Sequence, residues 1–195
     1  MRFLIITKKQ LMLGICALIA VIAVVIGSAA AFAGNDRKLP IYCVETEKKQ
    51  IAISFDAAWG NDDTQTLIDI LKEYNVPATF FVVGSWVDKY PESVKALSDA
   101  GHQVQNHSNT HPHMPQLSKH QMRDELESCN SKIKAITGVC PTLLRPPYGD
   151  YNSRVLSLLD NPAILWSVDP LDWKYRNADT VCTNIVEGAF DGAIV

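Results

Sequence analysis

The feature that most constrains the fold is a regular alternation of short apolar runs with helical patterns from about residue 50 onward. The apolar runs lie at residues 51–55, 78–83, 103–105, 142–144, 163–168 and 192–195. Candidate helices lie between them at about 63–74, 91–100, 119–137, 152–160 and 177–188. Strands and helices in this order form a parallel sheet. The sequence therefore predicts an α/β fold, and the alternation leaves open whether the sheet is doubly wound or closed into a barrel.

The first 33 residues have a different character. Positively charged residues precede an almost uninterrupted apolar run at 11–26, and small residues follow it up to Ala33. This is the layout of an export signal peptide. Residues 11–33 are also long enough to span a bilayer as one hydrophobic helix, so a retained membrane anchor is the alternative. Either interpretation predicts export, to the extracellular space, the cell wall or the outer face of the membrane.

The predicted organisation is a signal peptide or anchor at 1–33, a connector at 34–49 and one globular domain at 50–195. The first segment holds three of the 18 Lys and Arg residues and none of the 21 Asp and Glu residues, so the remainder has a formal charge of −6. This acidic balance argues against nucleic acid as a partner.

Four cysteines follow the first segment, at Cys43, Cys129, Cys140 and Cys182. Their spacing matches no zinc knuckle or ribbon. An exported chain can form disulfides, with Cys129 and Cys140 as the nearest pair, and buried free thiols are the alternative.

Chemically versatile side chains follow the predicted strands. Asp56 follows the first strand, His107 and His111 follow the third, Arg145 follows the fourth and Asp169 follows the fifth. The carboxyl ends of parallel strands are where α/β barrels build their active sites. The sequence therefore predicts a site at this end of the sheet.

The two histidines suit a metal ion. His107 and His111 lie four residues apart directly after a strand, so both imidazoles can turn toward one point. With a carboxylate and open positions they would bind Zn²⁺, Co²⁺ or Fe²⁺ in a hydrolytic site, and a pair of surface loop histidines is the alternative. His113, which lies between two prolines, is interpreted as a turn residue.

Each of the other candidates also has two interpretations. Asp56 is either a structural cap or a general base beside a metal-bound water. Arg145, followed by two prolines, either pairs with Asp56 and orients it or forms a structural salt bridge. Trp173, near Asp169, either lines a sugar or acyl pocket or is a core tryptophan.

In order and spacing these segments resemble the NodB-homology polysaccharide deacetylases, of the carbohydrate esterase family 4 type, over about residues 50–195. The matching segments are 51–60 for the first motif, 76–84 for the second strand, 107–111 for the histidine motif, 145–149 for the arginine motif and 169–173 for the fourth motif. The resemblance implies a distorted (β/α) barrel. It also implies removal of N-acetyl groups from a glycan polymer such as peptidoglycan or chitin, by a divalent metal, zinc or cobalt, that polarises the acetamide and activates water.

The resemblance also implies roles for individual residues. Asp56 would be the catalytic base held by Arg145, and His107 and His111 would be metal ligands. The other implied roles are oxyanion binding by the backbone around Tyr148, a wall of the acetyl pocket from Trp173, and tuning by Asp169 of a histidine acid in a fifth motif.

Two features depart from the family pattern. The first motif normally has a second aspartate that binds metal, and here that position is Ala57. Asp62 or Asp63 is a possible replacement, whereas Asp62 with Gln65 favours a helix cap. The fifth motif does not follow residues 192–195, so the domain is predicted to be C-terminally incomplete, with an open apolar strand edge.

The variant first motif, Phe-Asp-Ala-Ala-Trp-Gly at residues 55–60, resembles a sporulation-associated branch of the family. The alternative function is a non-catalytic glycan-binding or structural relative that has lost the metal site.

Overall fold

The computed structural model describes Lys8, Lys9, Met12 and residues 38–175 and 177–195. The chain divides into two units, Met1–Arg37 and Lys38–Val195. The predicted signal peptide or anchor lies outside the described residues except at Lys8, Lys9 and Met12. Within the described parts of the chain, no helix combines the length and the apolar character needed to cross a membrane.

Three parallel strands form the regular part of the sheet. Strand β1 spans Ser54–Ala57, β2 spans Thr79–Val82 and β3 spans Gln103–Asn106, in the order β1-β2-β3. The first strand ends two residues later than the apolar pattern predicted, because the Ala57 carbonyl accepts a hydrogen bond from the Val83 amide (3.0 Å) and so continues the ladder. Asp56, the residue before Ala57, therefore lies within the strand and not in the loop that follows it.

Single bridges continue the sheet beyond β3 and return it to β1. Leu144 pairs with the last residue of β3, and the Ile164 amide donates to the Leu144 carbonyl (2.9 Å). The Ile194 carbonyl accepts from the Ser167 amide (2.9 Å), and Ile194 bridges Ala52 just before β1. The hydrogen bonds therefore connect these segments in a closed ring, the arrangement of a distorted barrel.

The structure therefore has isolated bridge pairs where the sequence predicted strands at 142–144, 163–168 and 192–195. The open edge expected at 192–195 is not observed. The Val195 amide donates to the Ala52 carbonyl and the Val195 carbonyl accepts from the Ser54 amide, both at 2.9 Å. Ile194, one residue earlier, bonds to Ser167 on the other side, so the run at 192–195 is paired with both neighbouring segments.

Six α-helices surround the described part of the sheet. They are α1 (Thr64–Glu73), α2 (Gly84–Lys89), α3 (Pro91–Asp99), α4 (Lys119–Thr137), α5 (Ser153–Ser157) and α6 (Ala178–Gly188). Two 3₁₀ turns, Met114–Gln116 and Pro147–Gly149, lie in the connections. The sequence did not predict α2, whose six residues are too few to carry a clear helical period.

Helix ends follow local chemistry in one case and depart from it in another. Ser118 and Gln121 form a reciprocal capping box at the start of α4. The cap predicted from Asp62 and Gln65 is wrong, because α1 begins after Asp63 with no side-chain cap bond. Gln65 instead donates to Asp69 one turn further along (2.9 Å).

The main core lies between the sheet and helices α1 to α4. Its fully buried members include Val82, Val94 and Ile133. The four described cysteines form no disulfide, and only Cys129 among them is buried. Burial raises the pKa of the Cys129 thiol to about 12, so it packs as a neutral side chain.

Candidate active site

A buried arginine binds two side chains of strand β1. Arg145, only 3% exposed, donates from Nη1 to Asp56 Oδ1 (2.9 Å) and from Nη2 to Ser54 Oγ (2.7 Å). Its guanidinium lies over the Phe81 ring, 4.3 Å from the centroid. Burial lowers the pKa of Arg145, and the nearby Asp56 carboxylate opposes that shift. The arrangement fixes one oxygen of Asp56 and leaves the other free to face the histidines.

His107 is almost completely buried beside this pair. Its Nδ1 donates to the Arg145 backbone carbonyl (2.7 Å), and its Nε2 lies 3.5 Å from Asp56 Oδ2. A carbonyl can only accept, so the proton sits on Nδ1 and the neutral ring has its lone pair on Nε2. Burial lowers the pKa of His107 more than the Asp56 carboxylate raises it. A carbonyl partner on the far nitrogen is also the usual support of a metal-binding histidine.

His111 lies against His107 and is only partly buried. The two rings meet edge to face with centroids 4.9 Å apart. The ring centroid of Tyr148 lies 4.6 Å from that of His111, and the ring centroid of Trp59 lies 5.7 Å from it. Burial, and then the neighbouring His107, lower the pKa of His111. The structure therefore gathers both histidines, Asp56 and Arg145 at one end of the sheet.

His113 belongs to the same cluster, although the sequence indicated only a turn. Its ring stacks on Tyr148 with centroids 4.2 Å apart and planes 15° apart. Its Nδ1 lies 3.0 Å from Asp150 Oδ2. Tyr148 is more than half exposed and has a left-handed backbone, with φ of 61°. The sequence signal for this was that a single residue, Pro112, separates His113 from His111, which places both rings on one loop.

Two predicted site residues, Asp169 and Trp173, form no observed bond with the cluster in the described part of the chain. Asp169 Oδ1 accepts from the Leu171 amide two residues on (2.9 Å), which makes a local turn. Trp173 is 73% exposed, so the core-tryptophan interpretation is wrong. Among the residues described, no hydrogen bond, ion pair or aromatic contact joins either of them to Asp56 or to the histidines.

The donor set is incomplete for the metal that the family resemblance implies. Ala57 packs against the hydrophobic core and offers no ligand atom. Asp62 and Asp63 are both exposed at the start of α1. Within residues 38–175 and 177–195, no three His, Cys, Asp or Glu side chains are arranged to hold a metal ion. The two imidazoles fit a metal, and the set as a whole does not fit a three-ligand site.

Comparison with protein families gives a match to the polysaccharide deacetylase model over residues 44–162. The chain is 41% identical over 158 residues to the peptidoglycan-N-acetylglucosamine deacetylase PgdA of Listeria monocytogenes. That alignment covers 81% of this chain and 34% of the relative. The chain therefore spans about a third of the length of this curated relative.

Solved structures with the same fold include the peptidoglycan deacetylase PdaC of Bacillus subtilis. It is 38% identical with a TM-score of 0.72, over 77% of this chain and 75% of the other. A CE4 family pseudoenzyme from Bacillus anthracis is 35% identical with a TM-score of 0.78, over 81% and 57% of the two chains. A mutant of that pseudoenzyme, described as having restored enzymatic activity, matches at 37% identity and the same TM-score. The α/β architecture is therefore that of the NodB-type barrel.

Proposed function

This chain belongs to the polysaccharide deacetylase family, and from that premise we propose that it removes N-acetyl groups from a cell-wall glycan of the peptidoglycan type. The relatives PgdA and PdaC, which carry the name peptidoglycan deacetylase, support this substrate class. The products would be acetate and a glycan with free amino groups.

The observation that carries the proposal is the carboxylate of Asp56, which Arg145 holds in place. Arg145 binds one of its oxygens, and the other oxygen faces His107 at the carboxyl end of β1. A carboxylate held in this way can accept a proton from a water molecule that attacks the acetamide carbon. Arg145 acts on the substrate only through Asp56 and is therefore a positioning residue.

Within the cluster, Tyr148 would help to hold the acetylated sugar. The Tyr148 ring is more than half exposed and its centroid lies 4.6 Å from that of His111, and the backbone around Tyr148 is proposed to bind the oxyanion. For Trp173, whose indole is 73% exposed, we propose the wall of the acetyl pocket, and the tuning role of Asp169 stays a prediction.

A divalent cation, zinc or cobalt, is the group that would polarise the acetamide in this family. His107 and His111 would be its ligands. Since Ala57 removes the third ligand, we expect weak binding at most, and no step of the proposal depends on the metal.

The proposal is tested with Asp56→Asn in the full chain, with Asp62→Asn as a control on an exposed carboxylate close by. Acetate release from an N-acetylglucosamine oligomer and from peptidoglycan is measured. Asp56→Asn should lower the rate by about 10²–10⁴-fold, the usual contribution of a general base, and Asp62→Asn should leave it unchanged. Undiminished release by Asp56→Asn would refute the assignment.

The second candidate is a glycan-binding relative without chemistry. The observation that favours it is Ala57 at the position of a metal ligand, together with the likeness to a pseudoenzyme. Saturable binding of the oligomer by a well-folded wild-type chain that releases no acetate, with or without added Zn²⁺, would establish this candidate in place of the first.

We also propose that the chain is exported and that residues 1–33 are its signal peptide or anchor. The charged start and the apolar run support this assignment. A role in sporulation rests only on the form of residues 55–60. Cell fractionation and N-terminal sequencing of the mature protein test the export proposal, and an intact N-terminus in the cytosol would contradict it.

A further inference from the structure

The loop that carries both histidines has a strained backbone. Ser108 has φ of 67° and His111 has φ of 60°, in the left-handed region that residues with a side chain seldom adopt. Such conformations persist only where surrounding contacts hold them. The contacts that hold this loop therefore decide where the His111 ring lies.

Glu125, on helix α4, provides three of these contacts. Its Oε2 accepts from the backbone amides of Asn109 (2.8 Å) and Thr110 (2.7 Å). Its Oε1 accepts from Thr110 Oγ1 (2.7 Å). Both oxygens of one carboxylate thus bind donors of the loop, and hydrogen bonds to a charged acceptor are stronger than neutral ones.

Asn106 ties the start of the loop to the same helix. Its Oδ1 accepts from the Ser108 amide (2.7 Å), and its Nδ2 donates to Asn130 Oδ1 (2.7 Å) and to the Leu126 carbonyl (2.9 Å). The Ser108 hydroxyl in turn accepts from the His111 amide (3.0 Å). The loop is therefore bound to α4 at its beginning and at its middle.

Helix α4 is a firm support for these bonds. Its inward face buries Met122, Cys129 and Ile133 completely, and its first turn has the capping box. A second contact reaches the loop from the same helix, because Lys132 Nζ donates to Asn109 Oδ1 (2.8 Å). The position of Glu125 is thus set by the core and not by the loop.

We propose that Glu125 is a positioning residue that holds the histidine loop, and through it the His111 ring, in the geometry of the site. Its effect on catalysis rests on the proposed function, whereas its effect on the loop does not. Among the described residues no hydrogen bond or ion pair joins Glu125 to His107 or His111, and it acts through Asn109 and Thr110, two of the three residues between them.

Three variants of Glu125 separate positioning from general stability. Glu125→Ala removes all three acceptor bonds. Glu125→Gln is the conservative variant, because its carbonyl oxygen accepts from the two amides and its NH₂ group donates to the Thr110 hydroxyl. Glu125→Asp keeps the charge and withdraws the carboxylate by one methylene. Glu127→Ala is the matched control, since Glu127 is exposed on the same helix.

The first readout is the set of imidazole NMR signals of His107 and His111, together with amide hydrogen exchange of Asn109 and Thr110. We expect Glu125→Ala to shift the His111 signals and to accelerate exchange of both amides by roughly tenfold or more. Glu125→Gln should retain most of the wild-type pattern and Glu127→Ala all of it. A loss of global stability alone would lower the unfolding temperature without shifting ring signals in the folded protein.

Wild-type ring signals and exchange rates in a folded Glu125→Ala variant would overturn the proposal. If that variant does not fold, Glu125→Asp decides in its place, with the same expected shift and the same contradicting result. In an active chain, Glu125→Ala should lower kcat with little change in KM. A wild-type chain that releases no acetate refutes the proposed function, while the NMR and exchange data still decide the role of Glu125.

Discussion

The two halves of the candidate site are built very differently. In the arginine–histidine half, Arg145 and His107 are buried and each has specific polar partners. In the other half, the turn after β1, Trp59 is 82% exposed and Asp62 and Asp63 are exposed as well. The first half is determined by buried long-range contacts, and the second is a surface turn.

This difference explains how position 57, which the family resemblance assigns to a metal ligand, can hold alanine without loss of the fold. A buried charged residue needs its partners, so removing one of them costs stability. Ala57 instead packs against the apolar core, where a small side chain needs no hydrogen bond. The end of β1 can therefore carry alanine, where the family resemblance implies a metal ligand, while the arginine–histidine half of the site keeps its full network.

The largest effect should come from breaking the buried half with Arg145→Ala. Removal of the guanidinium leaves Asp56 without its partner and opens a cavity beside Phe81. We expect about 2–4 kcal/mol lower free energy of unfolding, less than for a fully buried pair because the Asp56 side chain is 34% exposed. Urea unfolding measures it. The control is Lys95→Ala, which breaks an exposed ion pair and should cost under about 0.5 kcal/mol. Equal effects of the two variants would contradict the comparison.

The junction between β1 and the turn is tested next by introducing a carboxylate with Ala57→Asp. We expect the dissociation constant for Zn²⁺ to fall by roughly tenfold or more, a gain of only about 1.4 kcal/mol. Calorimetric titration measures it, with His107→Ala in the same background to remove the opposite ligand. Ala58→Asp is the matched control, one residue further along the turn. Unchanged affinity in Ala57→Asp would mean that the end of β1 does not direct this side chain toward the histidines.

Acid should lower the stability of the protein through the two histidines of the site. Burial lowers the pKa of both His107 and His111, so the unfolded chain binds protons on these rings at a higher pH than the folded chain does. The contribution of these two neutral rings to the free energy of unfolding should be complete above about pH 6.5. It should fall as the pH drops from there toward the lowered pKa values of the folded protein. His111→Gln should reduce this dependence, and His120→Gln, at an exposed position, should not. Equal stability at pH 7.5 and 5.5 would contradict the prediction.

The smallest effect is expected for Trp59→Ala in the turn. Its indole is mostly in solvent, so the free energy of unfolding should change by no more than about 0.5 kcal/mol. Thermal or urea unfolding checks this value. A loss of more than about 1 kcal/mol would show that the turn, like the opposite half of the site, contributes to the stability of the fold.

Local patterns predicted the helices better than the strands. Helix α4 has the predicted bounds of 119–137, since a capping serine and a left-handed glycine, Gly138, define its ends locally. The strands at 142–144 and 163–168 were predicted at full length and are single bridges. Strand pairing depends on distant partners, which periodicity does not reveal.

The site residues divide in the same way. The positions of Asp56, His107, His111 and Arg145 after successive apolar runs predicted one shared location, and the structure gathers them there. The part played by Glu125 had no sequence signal, because a glutamate on a polar helix face has the same pattern whether it binds solvent or a loop.

The sequence by itself determined the family, the alternation of apolar runs with most of the helices, and the presence of alanine at position 57, where the family resemblance implies a metal ligand. These follow from motifs and from local periodicity, which are properties of neighbouring residues. Only the tertiary structure decided that residues 192–195 pair on both sides and that Arg145 meets Asp56 across 89 residues of chain. It also decided that helix α4 holds the histidine loop. The physical reason is that hydrogen bonds and burial between distant segments depend on how the chain closes in space.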